Sequence, residues 1–245
     1  MFKKKEEPVI EFSCKEWAIR KYAPVAPASE FLPKEFEELH PGKVCPFDNF
    51  RQGSILSARM CPAIGGYLSA GYVIPAWGDI EITFNNGEFN VQYSNLDYRH
   101  MTHPEEQFGN MFSRFKNRTD IKLDSPWTIK TKPGYSVMWM PMWFHNTNYQ
   151  AVPGIVDTDR VLNHNPINIM LYEQKDTLIK MGDPLVQVIP FKREDITAVS
   201  REYTENDFKR LASISGLLKL SRWGWRQWLK NRVSFTLDRR DTDLP

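Results

Sequence analysis

The stretch DIEITFNNGEFNVQY, residues 79–93, constrains the fold more than any other part of this chain. Ile80, Ile82 and Phe84 alternate with polar residues, and so do Phe89, Val91 and Tyr93. Between the two rows, Asn86-Gly87 supplies residues that tolerate the positive φ angles of a tight two-residue turn. Folded about that turn, both apolar rows share one face, the pattern of a half-buried antiparallel pair.

The same mode continues on either side. GYVIPAW (71–77) reads as a strand in which Pro75 marks an edge or a bulge. WTIKT (127–131) and YSVMWMPMWF (135–144) are joined by Lys132-Pro133-Gly134, a type II turn signature. GIVDT, INIMLYE (167–173), TLIKMGDP and LVQVIPF (185–191) follow. Short strands separated by Gly, Pro and Asn/Asp turns, with no helix between them, predict a mainly β core over residues 53–198. The expected form is an antiparallel β-barrel or sandwich, jelly-roll included. Residues 97–119 read as a long polar loop with one helical turn near 108–115.

Two flanks differ from this core. Residues 1–52 carry five prolines after Tyr22 and read as an irregular N-terminal arm with one short helical piece near 33–39. Such an arm lies along its own domain or clasps a neighbouring subunit. In residues 199–245, Thr204 and Asp207 form a capping-box pattern, with Phe208, Leu211, Ile214, Leu218 and Trp225 at roughly helical spacing. Gly216 and Gly224 interrupt that run, so short α-helices are expected there.

A net charge of +2 is too small to imply a polyanion partner for the whole chain. Three cysteines without dense spacing argue against a disulfide scaffold. MFKKKEEPVIEF lacks the apolar region of a signal peptide, and no run approaches the roughly 18 apolar residues of a membrane span. These features predict a soluble, intracellular protein, or one packaged into something made in a cell.

The local charge of the tail is different. In KLSRWGWRQWLKNRVSFTLDRR (219–240), Arg222, Arg226, Lys230 and Arg232 interleave with Trp223, Trp225 and Trp228. Arginine grips phosphate as a fork and tryptophan stacks on bases or rests at a lipid interface. The tail is therefore a candidate contact for nucleic acid or an anionic surface. A helix that packs its Trp face and leaves its basic face solvated explains it as well. The run MWMPMWF (138–144) reads as core or subunit interface, or as the wall of an apolar pocket.

Asp157 and Asp159 stand at a predicted strand end. One carboxylate there can activate water while its neighbour holds Mg²⁺ through waters; equally, Asp-Thr-Asp can cap a turn. His100, His103, His145 and His164 offer a cupin-like metal set, the ligand basis of a metal-dependent oxygenase, but without the facial-triad spacing. Serine-elbow, P-loop and dinucleotide fingerprints are missing. No metal site or cofactor is expected, except Mg²⁺ if the chain processes nucleotides.

Two resemblances rest on these blocks. CPAIGGYLSAGYVIPAWGDIEI (61–82), KPGYSVMWMPM (132–142), GIVDTDR (154–160) and IKMGDPLVQVIPFKRE (179–194) resemble an uncharacterised protein family of tailed phages and some bacteria. The order of PGYSVMWMP, GIVDTD and GDPLVQVIP is similar to that in the dUTP pyrophosphatase and dCTP deaminase superfamily. That second resemblance implies that Asp157 is the water-activating or sugar-contacting acid. It implies further that Ser136 faces phosphate and that Gln187 helps hold a neighbouring subunit's ligand. Arg160 stands where that family has Tyr, SAGYVIP (69–75) lacks the metal-facing Asp, and the chain ends in Trp and Arg where the family has a glycine-rich flap. The reading is a phage-type binding or assembly protein without catalysis, expected to be a homo-oligomer. A nucleotide-processing enzyme is the alternative, and a cupin-like oxygenase a more remote one.

Overall fold

A computed structural model describes residues 7–39, 58–94, 100–102, 119–161 and 166–209. The chain divides into two compact units, Met1–Arg193 with Leu237–Pro245, and Glu194–Thr236.

The first unit is built on antiparallel strands. They are β1 (Ile10–Ser13), β2 (Ala26–Pro27), β3 (Tyr72–Pro75), β4 (Ile80–Asn85), β5 (Glu88–Tyr93), β6 (His100–Thr102), β7 (Thr119–Leu123), β8 (Thr128–Thr131), β9 (Tyr135–Met140), β10 (Tyr149–Ala151), β11 (Gly154–Val156), β12 (Ile167–Leu171), β13 (Thr177–Ile179) and β14 (Pro184–Lys192). Among the described residues, three short α-helices accompany them: α1 (Trp17–Tyr22), α2 (Lys34–Glu38) and α3 (Pro62–Leu68). The sheet orders are β11-β9-β14-β3-β2, β10-β12-β7-β6, β13-β4-β5 and β1-β8. The fold is thus mainly antiparallel β, as expected. Of the two expected forms, a closed barrel is not what the described strands make, because each sheet order is open at both ends.

The hairpin forms at the expected register, with Ile80 opposite Tyr93, Ile82 opposite Val91 and Phe84 opposite Phe89. Asn86 and Gly87 adopt φ of 51° and 86°, the left-handed values that the turn demands. Strand β13 covers the other edge of β4, pairing Ile179 with Ile80. Pro75 lies opposite Pro184, beside a register shift in the β3–β14 pair where the extra residue, Leu185, is on β14, so Pro75 sits at a bulge carried by its partner strand.

Strand β14 runs through the middle of the largest sheet, and its residues Leu185–Val188 are all buried. A strand covered on both faces needs a continuous apolar run, and Leu-Val-Gln-Val nearly supplies one. Val73, Ile74, Trp77, Ile121, Leu123, Ile129, Val137, Ile169 and Leu171 are buried as well. Each such side chain contributes roughly 1.5–3 kcal/mol through burial.

Several elements differ from the sequence reading: β6 lies inside residues expected to form a long loop and pairs with β7, Met101 opposite Lys122. Within the N-terminal segment, β1 pairs with β8 (Phe12 opposite Ile129) and β2 extends the large sheet through Ala26 opposite Val73, where an irregular arm was expected. Four-residue and two-residue strands carry too little local pattern to be read without their distant partners. Similarly, β9 stops at Met140, because Pro141 has no N–H to continue the ladder. Trp139 therefore enters the core while Trp143 lies 60% exposed.

In the second unit, residues 205–209 are helical. The Thr204 N–H donates to Asp207 Oδ2 at 2.9 Å and the Asp207 N–H to Thr204 Oγ1 at 3.4 Å, the reciprocal bonds of a capping box. Arg201 clasps the same carboxylate at 2.6 and 2.7 Å. The tail residues Arg222, Trp223, Trp225, Arg226, Trp228, Lys230 and Arg232 lie outside the described residues, as do His103, His164 and the 108–115 segment. Among the described residues, no helix is long and apolar enough to cross a membrane.

Candidate functional site

Strand register brings Ser136 and Asp157 together. β11 pairs with β9 so that Val156 faces Val137, which sets the next residue, Asp157, beside Ser136. The Ser136 hydroxyl donates to Asp157 Oδ1 at 2.6 Å. After Asp157 the chain turns back, its carbonyl accepting the N–H groups of Arg160 and Val161 at 2.9 Å each. Thr158, fully buried at the centre of this turn, shares a 2.8 Å hydroxyl contact with Thr131. The turn returns Asp159 to the Lys132-Pro133-Gly134 corner, where the Gly134 N–H donates to Asp159 Oδ2 at 2.8 Å. Gly134 has φ of 83°, as the type II turn requires, and Tyr135 N closes that turn onto Lys132 O at 3.1 Å.

Arg193 completes the cluster. β14 pairs with β9 through Phe191 opposite Ser136 and Lys192 opposite Tyr135, so Arg193 arrives opposite Gly134 and its N–H donates to that carbonyl at 2.7 Å. Its guanidinium forks onto Asp159, with Nη1 to Oδ1 at 2.8 Å and Nη2 to Oδ2 in an ion pair. Nη1 also reaches Ser136 Oγ at 2.9 Å and Asp157 Oδ1 at 3.0 Å. Arg160 approaches Asp157 Oδ2 from outside at 3.9 Å.

The electrostatics follow from these bonds. The Ser136 hydroxyl, then Arg193, hold the Asp157 carboxyl below its ordinary range. The Arg193 fork, helped by the Gly134 N–H, draws Asp159 from 3.8 down to about 2. Both acids are therefore ionised near neutral pH, and both are weak bases. With two carboxylates against Arg160 and Arg193, the cluster is formally neutral. Its donors and acceptors are almost all used internally, and Asp157 Oδ2 faces Arg160.

The arrangement does not fit Mg²⁺. A cation held by Asp157 and Asp159 needs their oxygens turned toward it, whereas a guanidinium already bonds to both. Elsewhere, among the described residues, no group of three or more His, Cys, Asp or Glu side chains is placed to hold a metal ion. His100 lies in β6, and His145 lies in the turn after β9.

Gln187 is positioned apart from this cluster. It sits opposite Met140, four residues along β9 from Ser136, or about 13 Å at strand spacing. Its buried amide donates to the carbonyls of Tyr67 and Ala70 at 2.7 and 2.5 Å. Both carbonyls lie at the end of α3, where Tyr67 O also accepts the Ala70 N–H at 3.1 Å, so Gln187 acts there as a remote C-cap.

Sequence reasoning had singled out Ser136, Asp157 and Asp159, and the structure brings these three together; it missed Arg193, Gly134 and Thr158 as partners. Arg193 lies inside the block 179–194, yet only the β9–β14 register reveals where its guanidinium lands.

No family model matches the chain, and no curated protein matches it. Solved structures do. A variant dUTPase from phage phi11 of S. aureus aligns at TM-score 0.32 and 12% identity over 56% of this chain and 86% of that one. A Staphylococcus bacteriophage 80alpha dUTPase bearing dUpNHpp aligns at 0.31 and 12% over 56% and 78%. An EIAV dUTPase aligns at 0.26 and 10% over 52% and 98%. At these scores the likeness carries nothing about activity, ligand or assembly. What the chain has is a mainly antiparallel β fold.

Proposed function

We propose that this is a phage-type binding or assembly protein without catalytic activity, working as a homo-oligomer in the host cytoplasm or the virion. The observation that carries this reading is the Arg193 guanidinium bonded to both Asp159 and Asp157. A general base must be free to take a proton, and a phosphate site must have donors to spare. Here the acids are held ionised by internal partners, and the arginine is spent on them. The cluster acts as a latch that ties the ends of β9, β11 and β14 together. We assign any polyanion contact to the basic and tryptophan-rich tail, Arg222 to Arg232, and no cofactor to the β core.

One observation favours a second reading. The 2.6 Å Ser136–Asp157 bond unites the serine and the acid that a nucleotide pyrophosphatase would use, and Asp157 is 39% exposed. Incubating the wild-type chain and Asp157→Asn with the common nucleoside triphosphates and Mg²⁺ separates the two. No release of phosphate or pyrophosphate is expected from either protein. Turnover by the wild type that Asp157→Asn abolishes would overturn the non-catalytic reading.

A further inference from the structure

Helix α1 carries an aromatic platform that the proposed function does not use. Its inner side is anchored. Ile19 is buried, and the Ala23 N–H donates to the Ile19 carbonyl at 2.9 Å. Arg20 Nη1 donates to the carbonyls of Cys14 and Lys15 at 2.6 and 2.8 Å. Outward stand Trp17, 55% exposed, and Tyr22, 60% exposed. Their ring centroids lie 6.2 Å apart, with the planes tilted by 55°. Lys21 Nζ reaches both rings, 5.6 Å from the Trp17 centroid and 5.2 Å from that of Tyr22.

The charges around the rings are one-sided. The Arg20 guanidinium is engaged with backbone carbonyls, and Glu16 is turned inward, its Oε2 accepting from the Cys14 thiol at 3.3 Å. Lys15 and Lys21 are the exposed charges between Cys14 and Tyr22. Among the described residues, no carboxylate forms an ion pair with either. A cation over an exposed ring is held weakly, because water competes for the ammonium. A nucleobase stacked on the same ring is held more firmly, since two flat apolar faces leave water together. A phosphate in turn offers the ammonium a full negative charge, which the rings do not. Exchanging Lys21 for a base on the rings, and the rings for a phosphate on Lys21, therefore improves both contacts.

We propose that α1 is a contact for single-stranded nucleic acid: a base stacks on Trp17 beside Tyr22, and Lys21 moves from the rings to the neighbouring phosphate. A duplex hides the faces of its bases, so the unpaired strand is the form that fits. With two free lysines, α1 grips through stacking more than through charge. It is a contact separate from the tail and stands whether or not the tail holds the phosphate backbone.

The full chain, titrated into a fluorescein-labelled single-stranded oligothymidylate and followed by anisotropy, tests this. The wild type is expected to bind, and Trp17→Ala to bind at least about fivefold more weakly. Trp17→Phe, which keeps a ring, is expected to restore most of the loss. Lys21→Gln is expected to reduce the slope of log K against log salt by about 0.7, the loss of one phosphate contact to a single strand. Absence of binding by the wild type would overturn the proposal. So would unchanged affinity in Trp17→Ala, which would give the binding to another part of the chain such as the tail. A wild type that binds phosphatidylserine vesicles through Trp17 but ignores the oligonucleotide would replace nucleic acid with a lipid surface and overturn it as well.

Discussion

At the residue scale, Gln187 shows how a side chain singled out for a ligand is committed to structure. It is 2% exposed, and both hydrogens of its amide go to carbonyls at the end of α3. Replacing it by Leu takes the side-chain donor from the half-buried Ala70 carbonyl and one of the two donors from Tyr67 O. The expected cost is about 1–3 kcal/mol, read from urea or thermal unfolding. A Gln187→Leu protein as stable as the wild type would free this residue for another role. Arg193 shows the opposite limit of sequence reading. Ser136 and Asp157 could be paired from a resemblance in motif order. Arg193 had no such marker, because its position depends on pairing between strands some fifty residues apart, and register across that gap is not written in local chemistry.

At the element scale, what was legible was what local chemistry dictates. The Asn86-Gly87 hairpin, the Pro133-Gly134 turn and the Thr204–Asp207 capping box each need particular residues at fixed offsets, and each forms. Helix α3 was not legible. PAIGGYL holds two adjacent glycines, poor helix formers, and it is closed by tertiary contacts from Gln187 and by the Ser69 hydroxyl on the Gly65 carbonyl at 2.7 Å. Just beyond it, Gly71 joins α3 to β3 at φ of 70°. A Cβ placed there would lie 2.1 Å from the Val188 carbonyl oxygen, on the strand that pairs with β3. Gly71→Ala is therefore expected to cost more than about 1–2 kcal/mol, since the left-handed backbone alone costs that much. Denaturant unfolding measures it, and an unchanged midpoint would mean that β14 shifts away freely.

At the scale of the whole molecule, the ionisable groups set a stability window. The folded pKa values of Asp157 and Asp159 lie below the unfolded value near 3.8, so their stabilisation is full above about pH 4 and is lost as pH falls toward about 2. At the other end, burial pushes the Cys14 thiol from 9.0 and the Tyr67 phenol from 10.0, each to about 12. The unfolded chain gives up these protons first, so stability is full below about pH 9 and is lost as pH rises beyond it. Thermal midpoints across pH should form a plateau with two falling limbs. Asp159→Asn should lower the plateau and flatten the acid limb; an acid limb identical to the wild type would mean that the Arg193 fork adds nothing to stability.

The sheet orders have one more consequence. Among the described residues, the five-stranded sheet ends at both sides on strands of only two or three residues, while its long strands lie inside. A six-residue border is offered by β5, whose Glu88, Asn90 and Gln92 point to water. A stray extended peptide approaching the large sheet thus finds too few free amides to anneal along, and along β5 it meets charge and amides in place of grease. Such rims resist being copied by another chain, which favours contacts made through side chains over the merging of one sheet into the next.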